Sequence, residues 1–276
     1  MDKLPSTNLL KRENLKNKKY YHLKDLTDQE EFKDKLVIAL GKENNVTPRY
    51  INLKDYTGIL ISGETGSGKS VFLHSIIVSL LLKNTENDLN IFLMSKNKIE
   101  LNNYNSLPHL RFGIANKDME ILISFKKIVN IIKERREIFK KDNINNIDEY
   151  NLKNKDKLPE ILIIVDEIGE LINISEIERI IKNILKDGYK YGMHLILATS
   201  SYLKGYKDNN LVNLFDFVIT LDLASKEQAN FIKLEGGNWL NTEGDVLVKY
   251  PDNKVYRLQT PYVSLDDINN VVNFYK

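Results

Sequence analysis

The segment Gly63-Glu64-Thr65-Gly66-Ser67-Gly68-Lys69-Ser70 has the spacing G-x-x-x-x-G-K-[ST], a pattern suited to holding a polyphosphate. Its glycines let a loop curl until backbone N–H groups point at phosphate oxygens, and a helix opening at Lys69 adds the positive end of its dipole. In such a loop Lys69 reaches the β- and γ-phosphates and Ser70 ligates Mg²⁺. The expected cofactors are therefore ATP and Mg²⁺. Residues Gly63, Glu64, Thr65, Gly66, Ser67, Gly68, Lys69, Ser70 and Val71 form the binding segment, and Lys69 is expected to face solvent when no nucleotide is bound.

A phosphate loop of this kind needs a carboxylate at the end of a neighbouring strand to hold the metal. The run ILIIVDE supplies it as Asp166, after five apolar residues. Glu167 follows directly and is placed to orient and deprotonate an attacking water, the work of a general base. An acidic strand terminus facing solvent is the competing explanation for the pair. The four histidines, His22, His74, His109 and His194, are scattered, and no pair has metal-ligand spacing, so they read as structural or solvated residues.

These groups need a scaffold, and the apolar pattern predicts one. Short apolar runs, LVIALG (36–41), GILIS (58–62), NIFLMS (90–95), ILIIVD (161–166), HLILATS (194–200) and FDFVITL (215–221), read as strands. Helical patterns over 69–83, 117–141 and up to Lys186 lie between them. Strands alternating with helices give an α/β class with a mainly parallel sheet flanked by helices, because strands covered on both faces read as unbroken apolar runs. Ser175 and Glu178 have the spacing of a capping box, Gly188 stands where the following chain must turn, and Ile177, Ile181, Ile184 and Leu185 make one apolar stripe. Near the end, GDVLVKY and KVYRLQT predict a hairpin around Pro251-Asp252-Asn253, followed by a helix from Leu265.

The 276 residues have room for one large α/β domain and a short appendage. We expect residues 1–35 to be a Lys-rich N-terminal arm and 36–276 the ATPase domain. With Lys+Arg at 40 and Asp+Glu at 38 the net charge is only +2, so a polyanionic partner must be met by a local patch. The absence of cysteine excludes disulfides, thiolate metal sites and a cysteine nucleophile, and fits a reducing compartment. No stretch approaches 18 apolar residues and the opening MDKLPSTNLLKREN is polar, so neither a membrane span nor a signal peptide is expected, and a cytoplasmic location is.

Beyond the ATP motifs, the sequence resembles the FtsK/SpoIIIE family of hexameric DNA-translocating ATPases. LVIALGKENNVTPRYINL resembles that family's LxxALGKxxxGxP lead-in, and SKNKIELNNYNSLPHL its DPKxxEL..Y..xPHL segment, with Glu100, Leu101, Tyr104, Pro108, His109 and Leu110 kept. KERRE (133–137), Tyr150-Asn151, YGMHLILATS and LEGGNWLNTEGDVLV match further family segments in order, from Leu36 to Val272. The resemblance implies a RecA-like P-loop core in a homo-hexameric ring, ATP at subunit interfaces and double-stranded DNA through the centre. It also implies a role in segregation or in conjugative transfer of a mobile element, with recruitment to the membrane by a transfer or division protein as a further partner. It assigns Ser200 to the place of the family's sensor Gln, beside the catalytic Lys69 and Glu167, and puts Ser95 where the family has Asp. Arginines expected at the subunit boundary stand as Asn183, Tyr189, Phe217 and Ala229, so a trans-acting cation falls to Lys190 or Arg179 or is unassigned. Family members also carry a winged-helix module and membrane region that are not in this sequence, which gives the expectation of a minimal motor.

For DNA, helix 117–141 carries a net +4, which a solvated helix face explains equally well. Two polar loops are the better candidates: 151–157 with Lys153, Lys155 and Lys157, and 201–210 with Tyr202, Lys204, Tyr206 and Lys207. Ordinary surface loops account for them as well. ATPases of the wider family also drive protein secretion, and a weakly hydrolysing assembly factor is a third reading; the EL..Y..xPHL segment favours DNA.

Overall fold

The computed structural model of the chain describes residues 4–10, 21–96, 101–200, 211–223, 225–240 and 243–276. Its organising element is a ten-stranded sheet in the order β2-β1-β10-β9-β8-β3-β7-β6-β4-β5. The strands are β1 Val37–Glu43, β2 Thr47–Asn52, β3 Gly58–Ser62, β4 Leu89–Met94, β5 Leu110–Ala115, β6 Glu160–Val165, β7 Met193–Thr199, β8 Phe217–Thr220, β9 Asp245–Lys249 and β10 Val255–Gln259. From β8 through β3, β7, β6 and β4 to β5 the pairing is parallel; from β8 through β9 and β10 to β1 and β2 it is antiparallel. The hairpin β9–β10 turns at Pro251-Asp252-Asn253, where Asn253 takes φ 64°.

The central strands β3, β4, β6 and β7 are buried along their whole length, as their unbroken apolar runs require. Along β6 the side chains alternate between two cores: Leu162 and Ile164 enter one, Ile161, Ile163 and Val165 the other. The first core is closed by helix α2 (Lys69–Leu81), which is apolar nearly all round and buried at 11 of its 13 positions. The C-terminal helix α7 (Leu265–Phe274) adds Ile268, Val271 and Val272 to the same core. The second core is closed by α3 (Asp118–Lys141) and α5 (Ser175–Asp187), whose Ile177, Ile181, Ile184 and Leu185 form the expected stripe. The two short helices between these elements are α4 (Ile147–Lys153) and α6 (Lys226–Phe231), while α1 (Lys24–Thr27) lies near the start of the chain.

Residues 1–35 do not behave as a separate arm where they are described. Leu10, Leu23, Leu26 and Phe32 are fully buried in the first core. His22 pairs with Asp267 at 2.7 Å, and the Leu23 N–H donates to the Tyr262 carbonyl at 2.8 Å. The chain therefore starts building its core well before position 36. Two local signals also resolve differently. Ile174, not Ser175, caps α5, and no side chain caps it; Ser175 is already its first residue, so the capping box does not form. The turn after α5 is made by Gly192, with φ 68°, whereas Gly188 is right-handed and small because Ile184 and Met193 pack against it.

Candidate active site

The phosphate loop leaves β3 at Ser62 and enters α2 at Lys69, between the carboxyl ends of β7 and β8 on either side. Parallel register sets Ser62 opposite both Thr199 and Thr220, so three strands end level and their loops share one mouth. Gly63 and Ser67 form the floor of the loop. The Gly63 N–H donates to the Thr199 carbonyl at 3.2 Å, and a Cβ there would sit 2.7 Å from Ser67 Oγ and 2.9 Å from Leu221 Cβ, so only glycine fits. Gly68 has φ 92° and precedes α2 without any side-chain cap, which leaves the first-turn N–H groups without helical partners. Glu64, Thr65, Gly66, Gly68, Lys69, Ser70 and Val71 then line a cavity of about 450 Å³.

Opposite them, Asp166, Glu167, Ser200 and Glu243 complete the wall. Asp166 and Glu167 follow β6, which is separated from β3 by β7 alone. The register Val165 with Leu197 carries Glu167 alongside Thr199 at the next step. Asp166 is buried, and its carboxylate accepts the Ser95 hydroxyl from the end of β4 at 2.9 Å. Glu167 takes hydrogen bonds on both oxygens: Oε1 accepts from the Gly169 N–H and the Thr199 hydroxyl, each at 3.0 Å, and Oε2 from the Ser200 N–H at 2.6 Å and the Ser200 hydroxyl. The acidic pair is therefore not an exposed strand terminus. Lys69 is buried, at 9 % exposure, contrary to the solvent-facing orientation expected for it, and lines the cavity beside the half-buried Ser70 and the exposed Val71.

Glu243 is a wall residue that the motifs did not single out. It is delivered by the β9–β10 hairpin, whose Gly244 N–H meets the Ser67 carbonyl at 3.4 Å while the Gly244 carbonyl accepts the Thr260 N–H at 2.7 Å. The LEGGNWLNTEGDVLV stretch was its available signal. The loop also rests on Asp222, whose carbonyl accepts the Glu64 N–H at 2.8 Å, and on α6, from which Gln228 donates to the Glu64 carboxylate at 2.7 Å. Burial, with the Glu64 and Asp245 charges nearby, pushes the Asp222 carboxyl above its ordinary pKa.

The oxygen groups on this wall fit a hard divalent cation. A Ser70 hydroxyl and a buried Asp166 carboxylate, fixed by Ser95, are the ligand types Mg²⁺ takes when phosphate oxygens and water supply the remainder. Lys69 and the open helix terminus supply the complement for phosphate.

The expected DNA-contacting residues divide. Lys153 ends α4 and pairs with Glu149 at 2.6 Å; residues 151–157, including Lys155 and Lys157, precede β6 and so lie at the end of the sheet opposite the phosphate loop. Tyr202, Lys204, Tyr206 and Lys207 fall outside the described residues. Arg135 of α3 is no solvated contact. It is buried, donates to the Pro159 carbonyl at 2.7 Å and to that of Tyr191, and burial lowers its pKa to about 10. All four histidines are buried and hydrogen-bonded, to Asp267, Tyr104, the Asn84 carbonyl and Glu160 respectively. Among the described residues no helix is long and apolar enough to cross a membrane.

The FtsK/SpoIIIE family model matches residues 22–235. A DNA translocase FtsK of Clostridium tetani is 30% identical over 271 residues, which cover 92% of this chain and 36% of that protein. One of Staphylococcus epidermidis is 29% identical over 266 residues, covering 90% and 33%. The chain thus spans about a third of the length of the curated relatives it matches. Among solved structures, the pCW3 conjugation coupling protein TcpA, in its monomer form with ATPγS, superposes with a TM-score of 0.76 at 19% identity, covering 94% of this chain and 75% of that one. The cytoplasmic domain of the Type VII secretion ATPase EccC of Thermomonospora curvata gives 0.75 at 18% identity, covering 94% and 33%. These likenesses show that the sheet and its flanking helices have the RecA-like P-loop fold.

Proposed function

The chain belongs to the FtsK/SpoIIIE family, and from that premise we propose that it is an ATPase motor which hydrolyses Mg-ATP and couples turnover to movement of double-stranded DNA. The observation that carries the reading is the meeting of Lys69 and Ser70, at the start of α2, with Asp166 and Glu167, at the end of β6, in one cavity although the two pairs lie far apart in sequence. Lys69 and the loop N–H groups hold the phosphates, Ser70 and Asp166 would hold Mg²⁺, and Glu167 accepts the proton of the attacking water. Bound Mg²⁺ would neutralise charge on the β- and γ-oxygens. Ser200 stands where the family's sensor Gln is expected.

DNA enters the proposal through the named relatives, which are DNA translocases, and through Lys204 and Lys207, which follow β7 in sequence. Lysine contacts to phosphate are blind to base sequence, as a translocase requires. The working form is a homo-hexameric ring with ATP at subunit interfaces, and the process is DNA segregation or conjugative transfer with a membrane-bound partner. Protein secretion is the reading that replaces this one if DNA leaves turnover unchanged in an assembled ring. Glu167→Gln tests the chemistry: calorimetry should give the parent's Mg-ATP affinity, while phosphate release falls at least about a hundredfold. Turnover at the parent's rate would place the base elsewhere.

A further inference from the structure

Glu167 carries more hydrogen bonds than a working base can keep. An ionised carboxylate has about four lone-pair directions on its two oxygens. Two donors meet Oε1, the Gly169 N–H and the Thr199 hydroxyl, and two meet Oε2, the Ser200 N–H and the Ser200 hydroxyl. Every acceptor direction is thereby taken. A general base must accept a hydrogen bond from the water it deprotonates, so in this arrangement Glu167 has no direction left for it. Hydrolysis requires one of the four donors to leave.

The four donors are not equally able to do so. Two are backbone N–H groups, fixed by the turn at Gly169 and by the end of β7. Thr199 is the last residue of β7, is 2 % exposed, and its β-branched side chain is stiff at χ1. Ser200 lies just past the strand, is partly exposed and lines the ATP cavity. Its hydroxyl can rotate about a single bond without moving any backbone atom. We infer that Ser200 is a positioning residue whose hydroxyl holds Glu167 in a fully hydrogen-bonded, idle state, and that turnover waits on its rotation away from Oε2.

This assignment rests on Glu167 being the base, and it differs in sign from a sensor role. A side chain that only helps to bind the terminal phosphate slows hydrolysis when removed; one that occupies the base speeds it. The test is steady-state ATP hydrolysis without DNA for the parent, Ser200→Ala, Ser200→Thr and Glu167→Gln. Ser200→Ala should raise kcat by about tenfold, the scale of one hydrogen bond to a charged acceptor, with KM for ATP within about twofold. Ser200→Thr keeps the hydroxyl on a stiffer, β-branched side chain and should turn over no faster than the parent. Equal melting temperatures confirm that the comparison is between folded proteins. If Glu167→Gln is inactive and Ser200→Ala is no faster than the parent, the holding role is overturned while the base assignment stands. If Glu167→Gln is as active as the parent, the base assignment falls, and the inference with it.

Discussion

Ser95, one residue past β4, donates its hydroxyl to Asp166, one residue past β6, at 2.9 Å, so the carboxylate expected to carry Mg²⁺ is held from the adjacent strand. The resemblance places an Asp at position 95. A second carboxylate there would face Asp166 as a like charge, whereas the hydroxyl fixes it by donating. Removing such an orienting partner of a metal ligand costs roughly 10–100-fold in metal affinity. Ser95→Ala should therefore raise the Mg²⁺ concentration for half-maximal ATPase activity by at least about tenfold. A Mg²⁺ titration superimposed on the parent's would show that Ser95 does not orient the ligand.

Lys69→Ala should remove measurable ATP binding by calorimetry. The side chain is 9 % exposed on the cavity wall, so it reaches a bound phosphate largely shielded from water, where a charge-assisted bond is strongest. Far-UV circular dichroism should be unchanged, because the helix begins at this residue without depending on its side chain for a cap. Retained nucleotide affinity would remove Lys69 from the phosphate site.

The start of the chain should contribute to global stability. Phe32 is fully buried, with the Tyr50 ring centroid 6.4 Å away and the Lys83 ammonium 5.3 Å above its face. Phe32→Ala should cost about 3–5 kcal/mol, lowering the melting temperature by roughly 2–4 °C for each kcal/mol. An unchanged melting temperature would mean that residues before position 36 form a separate appendage after all.

What was legible in the sequence followed from burial on both faces. GILIS, NIFLMS, ILIIVD and HLILATS are strands within a residue of their expected bounds, because a strand covered on both sides must be apolar throughout. Edge strands carry no such signal: β2, with Pro48 and Arg49, and β5, with Arg111 and Phe112 exposed, lie at the two ends of the sheet and were not anticipated. The buried Leu23, Leu26 and Phe32 were hidden in a Lys-rich background, since their partners lie elsewhere in the chain: Tyr262 meets Leu23 and Asp267 its neighbour His22, while Tyr50 meets Leu26 and Phe32. Asp166 and Glu167 could be read from their strand, but the hydrogen bonds on Glu167 could not. They depend on β7 lying between β3 and β6, an order that no local pattern encodes.

Acid should weaken the fold through His109 before the carboxylates titrate. Its Nε2 donates to the Asn84 carbonyl at 2.9 Å, while Nδ1 is buried with no partner among the described residues, so the ring is neutral. Burial lowers its pKa, outweighing the opposing pull of that carbonyl and of Glu86 and Asp88. The unfolded chain then binds a proton that the native state refuses, so this contribution is complete above about pH 6.5 and is lost as pH falls toward the depressed native value. His109→Gln keeps a donor for Asn84 and has no titration in this range. Its melting temperature should fall less than the parent's between about pH 7 and pH 5.5. Parallel curves would locate the acid sensitivity elsewhere.

The claim that turnover is coupled to DNA is tested most directly by steady-state ATPase activity of the assembled protein against duplex concentration. Duplex DNA should stimulate several-fold, single strands less, and unrelated duplexes alike, since lysine contacts to phosphate do not read bases. Stimulation should fall steeply between about 50 and 200 mM salt as counterion release loses its force. Replacing Lys204 and Lys207 together by Ala should reduce stimulation and leave DNA-free turnover as it was. A double variant that responds like the parent would remove only these two lysines from the account. An assembled ring that hydrolyses ATP at low salt with no response to duplex would contradict the DNA motor itself and leave protein secretion as the function to test.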